Sequence, residues 1–140
     1  MSRVDNEQIM RTYLEEVVAK ERLDLIPEIA AENMFDEATA QGGGPPGREG
    51  LAAHVMGFHA AFPDRAITIR KILANDDDVM AWWTVEGTQA TEFVGVLPHR
   101  GKHLRSCLQL LQHHRWQDLP VSALRAHRLR CTGRPRQHPY

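Results

Sequence analysis

The chain has 140 residues, 42% of them hydrophobic and 25% charged, with a net charge of −1. That length and balance suit one globular domain with a sizeable core and exclude a disordered or fibrous chain. No apolar run approaches the roughly 20 residues of a spanning helix, and two cysteines, Cys107 and Cys131, exclude a disulfide framework or a cysteine-built metal centre.

The first residues, MSRVDNEQ, lack the apolar stretch of a secretory leader, so a cytoplasmic protein is expected. A helix follows. Ile9, Met10, Tyr13, Leu14, Val17 and Val18 recur at spacings of three and four, giving one apolar face, with Ser2 and Asp5 as candidate caps. Asp24-Leu25-Ile26-Pro27 predicts a second, short helix ending near Asn33, with Pro27 in its tolerant first turn. Met34 and Phe35 are expected to re-enter the core. Residues 41–47 (Gln-Gly-Gly-Gly-Pro-Pro-Gly) predict a loop at a pocket rim; a phosphate cradle lacks its Gly-Lys-Ser/Thr ending.

Residues 48–62 predict a third helix, with Leu51, Val55, Phe58 and Phe62 as its stripe. His54 lies beside that stripe and His59 on the wetter side. Pro63-Asp64 ends the helix, and Asp64 is suited to bond backbone N–H groups of the turn.

Residues 66–74 predict a strand in which Ile67 and Ile69 alternate and Ile72 falls out of phase. Asn75-Asp76-Asp77-Asp78 is a hairpin turn; calcium-loop ligand spacing is absent. Residues 79–89 form the strongest strand, and its adjacent Trp82 and Trp83 must point to opposite faces. A further strand is expected over residues 91–97, then a turn to Lys102. Helices first and a strand meander after them predict an α+β fold, with N-terminal helices packed on a curved antiparallel sheet around an apolar pocket.

The stretch from Phe62 to Lys102 carries a resemblance. Phe62-Pro63-Asp64, Asp78-Val79, Ala81, Trp83-Thr84, Gly87-Thr88, Glu92-Phe93, Gly95, Pro98 and Gly101-Lys102 follow a motif string in order and spacing. It resembles that of SnoaL-like polyketide cyclases and ester cyclases, within the cone-shaped nuclear transport factor 2-like superfamily. The resemblance covers roughly residues 5–104. There are departures. Trp82 stands in place of an Arg, Gln89 in place of a His, and Phe35-Asp36-Glu37 where a His is common. The family's last strand, with its acid/base Asp, has no counterpart after Arg105.

Residues 105–140 differ in composition. Residues 1–104 carry 17 acids against 10 bases, −7; residues 105–140 carry one acid, Asp118, against seven arginines, +6. Both cysteines and four of the eight histidines lie in this tail. Read one nucleotide later, Leu-Leu-Gln-His-His-Arg-Trp-Gln-Asp-Leu can give FFSIIDGKI, the strand–turn–strand signature the family carries at this place. The tail is therefore read as frameshifted near residues 103–107, leaving one strand at about 106–112 and the later strands missing. The competing reading is a native basic tail that binds nucleic acid.

The resemblance implies a small-molecule pocket protein performing cofactor-free, metal-free, aldol-type ring closure, impaired here by loss of the last-strand acid. Its partner would be a small apolar or polyketide-like ligand, with no membrane role. A homodimer is a further expectation, since relatives often pair through the open sheet face. The candidate catalytic residues are Glu92 as base and His54 as proton relay. Phe58, Trp83 and Gln89 are the candidate pocket residues. The alternatives are a non-catalytic ligand-binding or dimerisation module and a basic-tail nucleic-acid binder.

Overall fold

A computed structural model describes residues 2–93, 97–98 and 102–112. The expected frameshifted tail beyond residue 112 lies outside the described residues.

Helix α1 (Arg3–Thr12) starts where the sequence places it. The Asp5 N–H donates to Ser2 Oγ, and the Ser2 N–H donates back to Asp5 Oδ2 at 3.1 Å, a reciprocal cap. The helix then widens into a π-helical segment, Tyr13–Val18, rather than continuing in α register. Tyr13, Leu14, Val17 and Val18 are all buried there. The carbonyl of Val18 accepts a 2.8 Å bond from Arg65 Nε. This satisfies one of the orphan acceptors that any helix end leaves.

A 3₁₀ turn, Leu23–Leu25, leads into the short helix α2, Ile26–Ile29. It stops before the expected Asn33 because Ala30 is already extended. Met34 packs against the core, but Phe35 is exposed, so only half of the expected re-entry occurs. Helix α3 (Glu37–Gln41) was not anticipated, and it takes up Gln41, which the sequence assigns to the loop. Helix α4 (Gly47–Ala61) buries Leu51, Val55 and Phe58, and Phe62 closes its end.

Strands β1 (Ala66–Ala74), β2 (Asp78–Thr88) and β3 (Lys102–Gln112) form one antiparallel sheet in the order β1-β2-β3. The phase slip at Ile72 has a structural cause. The register moves between Ile69 and Lys71, so Arg70 is the extra residue of a β-bulge, and Ile72 returns to the inner face. Asn75 closes the β1–β2 turn by accepting from the N–H groups of Asp77 and Asp78 at 2.8 and 2.7 Å. Strand β3 pairs along all of β2 without a slip, and is longer than the strand expected at 106–112. The strand expected over residues 91–97 does not form at its start. Thr91 and Glu92 are outside any strand and Phe93 makes an isolated bridge.

The helices cover one face of the sheet. Met10, Leu14 and Val17 meet Val55, Phe58 and Phe62 of α4 and Val79, Ala81, Trp83 and Val85 of β2 in a single core. On β2 the alternation is clean: Trp83 is 4% exposed, whereas Trp82, on the outer face, is 47% exposed. Asn6 Nδ2 donates to Asn75 O at 2.8 Å and ties α1 to the far hairpin. No helix among the described residues is long and apolar enough to cross a membrane.

Candidate functional site

A small cavity lies between the helical layer and the sheet. Tyr13 and Val18, at the two ends of the π-helical segment, form one side; His54, Val55 and Phe58 come from α4. Trp83 of β2 and Cys107 and Gln109 of β3 form the floor, and Phe93 completes it. Trp83 and Cys107 face each other directly across the strand pair. The volume is about 20 Å³, room for about one water molecule. π-helical segments recur at functional sites because their wider turn re-aims side chains.

His54, in the wall, is held from behind by a carboxylate. His54 Nδ1 lies 2.8 Å from Asp36 Oδ2, with both side chains largely buried, 17% and 16% exposed. Asp36 immediately precedes α3, and the Thr39 hydroxyl donates to the same Oδ2. One carboxylate oxygen thus meets both groups, and because an ionised carboxylate only accepts, the contact calls for Nδ1–H on the imidazole and leaves the lone pair on Nε2. The His54 ring stacks on Phe93 at 6.2 Å between centroids.

Tyr13 lines the same cavity, and burial pushes its phenol well above the ordinary tyrosine range, with Asp36 and Cys107 adding to the shift. It is therefore a neutral O–H donor at physiological pH. Trp83 Nε1 is buried and has no hydrogen-bond acceptor among the described residues. Phe58 meets the Trp83 ring edge-on at 6.1 Å and the Phe93 ring at 5.4 Å, so the apolar wall is a connected aromatic group.

The residues singled out from sequence separate into two sets. His54, Phe58 and Trp83 come together at the cavity. Gln89 is buried at the end of β2 and donates from Nε2 to Thr91 O at 2.9 Å; it does not line the cavity. Glu92 is exposed and also lies outside the cavity wall. Asp36, Tyr13, Cys107 and Gln109 escaped the sequence reading. Tyr13 reads as one more residue of an apolar stripe, and Asp36 as part of a polar loop. Only the unusual run Phe35-Asp36-Glu37, where the related motif has a His, was a signal. No group of three or more His, Cys, Asp or Glu suited to a metal occurs among the described residues.

A broader, open depression lies between α1, α2 and the start of α4. Its one arginine, Arg48, donates to Ala30 O at 2.8 Å and Pro27 O at 3.2 Å, which makes it a brace for the end of α2.

Solved structures with the same architecture include TsrD from Streptomyces laurentii, 14% identical over 82% of this chain and 83% of that one, with a TM-score of 0.68. IdmH from Streptomyces antibioticus is 22% identical over 79% and 84%, with a TM-score of 0.60. A SnoaL-like polyketide cyclase from Agrobacterium tumefaciens strain C58 is 15% identical over 76% and 80%, with a TM-score of 0.57. At these identities the likeness is one of fold. No curated protein sequence matches the chain. The family model for SnoaL-like polyketide cyclases matches residues 8–112 and so extends beyond Arg105. That match spans both helical and sheet layers and every side of the cavity, and the chain belongs to the SnoaL-like polyketide cyclase family.

Proposed function

We propose that this chain is a small-molecule pocket protein that performs acid/base chemistry beside a carbonyl, the ring-closing type of its family. The observation that carries the proposal is His54, in the wall of a mostly apolar cavity, with its Nδ1 2.8 Å from the Asp36 carboxylate behind it. In this reading Nε2 of His54 removes a proton from the carbon next to a carbonyl. The resulting enolate carbon attacks a second carbonyl of the same molecule, forming the C–C bond while that carbonyl's π pair becomes an alkoxide. The imidazolium, stabilised by Asp36, returns its proton to that alkoxide. The Tyr13 hydroxyl is suited to donate to the enolate oxygen.

This assigns the base to His54 and leaves Glu92 with a role at the surface. The cavity in its present form has room for about one water, so a substrate enters by displacing Phe93, the lining residue that belongs to neither a helix nor a strand. The narrowness supports a second reading, a binding protein without turnover. The test is ¹H NMR of α-proton exchange in D₂O on an aryl β-keto ester, measured against buffer alone. Exchange above background that is lost in His54→Ala supports the enzyme. Binding of the ester without any exchange supports the second reading.

A further inference from the structure

Trp83 lines the cavity and carries a buried polar atom that the chemistry above does not use. Trp83 is 4% exposed, and its Nε1–H has no acceptor among the described residues. A buried indole N–H ordinarily finds a partner, because leaving it unsatisfied costs the desolvation of the group. The ring is not free to turn away. It sits on the central strand β2, paired with Ile69 on one side and Cys107 on the other, with Phe58 edge-on against it. The indole is a donor only and cannot satisfy another N–H or O–H. Val55, Phe58 and Phe93 give the wall an apolar majority, beside the polar Tyr13, His54, Cys107 and Gln109.

We propose that Trp83 is a specificity-determining residue that reads an acceptor-only oxygen, a ketone or ester carbonyl, on a neutral and mostly apolar ring-bearing ligand. This rests on the small-molecule reading of the cavity and narrows it. A ligand that is purely hydrocarbon leaves the N–H unsatisfied, and one that presents a hydroxyl proton at this point meets a second donor. Discrimination by a buried donor is stronger than discrimination by size, because the rejected ligand leaves a polar group stranded.

The experiment uses two probes of the same shape, 1-tetralone, which carries the carbonyl, and tetralin, which does not. The readout is the indole ¹⁵N–¹H signal of Trp83 in the full chain, identified by its loss in Trp83→Phe. The proposal expects 1-tetralone to move this signal downfield and tetralin to leave it in place. It also expects the tetralone-to-tetralin affinity ratio to fall by about 5- to 10-fold in Trp83→Phe. A packing role alone would weaken both probes and leave the ratio unchanged. If both bind the native chain, the indole signal responds equally to the two, and the ratio survives the substitution, the proposal is overturned while the pocket stands. If neither probe binds, the pocket reading and the proposal fall together. Should Trp83→Phe not fold, the contrast between the two probes on the native indole signal decides alone.

Discussion

Asp36 Oδ2 stands 2.8 Å from His54 Nδ1 although 18 residues of chain separate them. The first belongs to the entry of α3 and the second to the middle of α4, and the two helices pack so that the carboxylate meets the imidazole, which in turn lines the cavity. The Thr39 hydroxyl, in the first turn of α3, donates to the same oxygen.

The pair should therefore act as a unit. His54→Ala is expected to lower α-proton exchange by about 10²- to 10⁴-fold, the usual worth of a positioned general base. Asp36→Asn keeps the shape but removes the charge that orients the ring, so a smaller loss is expected. The exchange assay with far-UV CD as a fold control checks both.

Phe62 is 1% exposed and sits 5.4 Å from Phe58 and 6.0 Å from Phe93, ring to ring. Phe62→Ala removes a ring at the junction of α4 and the aromatic wall. It should destabilise the fold by about 3–5 kcal/mol, read from the urea midpoint at constant slope.

Gly87 and Gly57 should respond to alanine in opposite directions. A Cβ at Gly87 would stand 3.1 Å from Asp64 Oδ1 and 3.3 Å from the Arg65 Cα. Asp64 cannot yield cheaply, since the same oxygen accepts from the Thr88 N–H at 2.7 Å. Gly87→Ala is expected to cost about 1–3 kcal/mol. At Gly57, on the exposed side of α4, a Cβ meets nothing within 4 Å, and alanine should stabilise by about 0.5–1 kcal/mol. Urea unfolding of the two variants reads both signs.

The cap of α1 gives a pH dependence. The Ser2 hydroxyl, and after it the Ser2 backbone N–H, hold the Asp5 carboxyl below its ordinary value of 3.8. Because the folded value is the lower one, the cap stabilises above that ordinary value and is lost as pH falls through the folded one. The Tm difference between the native chain and Asp5→Ala should thus be steady at neutral pH and vanish in strong acid. A difference that persisted there would refute the charge-based cap.

The charge break after Leu104 is checked at the level of the gene. Sequencing from the codon for Pro98 past the stop codon should give an open shifted frame reading FFSIIDGKI if the frame has changed. If the codons do not allow that string, the arginine-rich tail is native, and its salt-dependent binding to nucleic acid becomes the assay to run.

Periodicity made much of the fold legible. The stripes of α1 and α4, the split of Trp82 and Trp83, and the phase slip that became the bulge at Arg70 are all visible in the order of residues. Each follows from the chain's own geometry, since a 3.6- or 2-residue repeat fixes which side chains share a face. The cavity pair was not legible in that way. Nothing periodic links Asp36 to His54; their meeting depends on the short connection between α3 and α4. The π-helical turn that brings Tyr13 and Val18 to the cavity, and the failure of Thr91 and Glu92 to join the sheet, likewise escape local pattern. Sequence by itself determined the faces that pack and the family. The tertiary structure alone decided which polar groups share the wall, because loop paths and packing choose contacts that no repeat encodes.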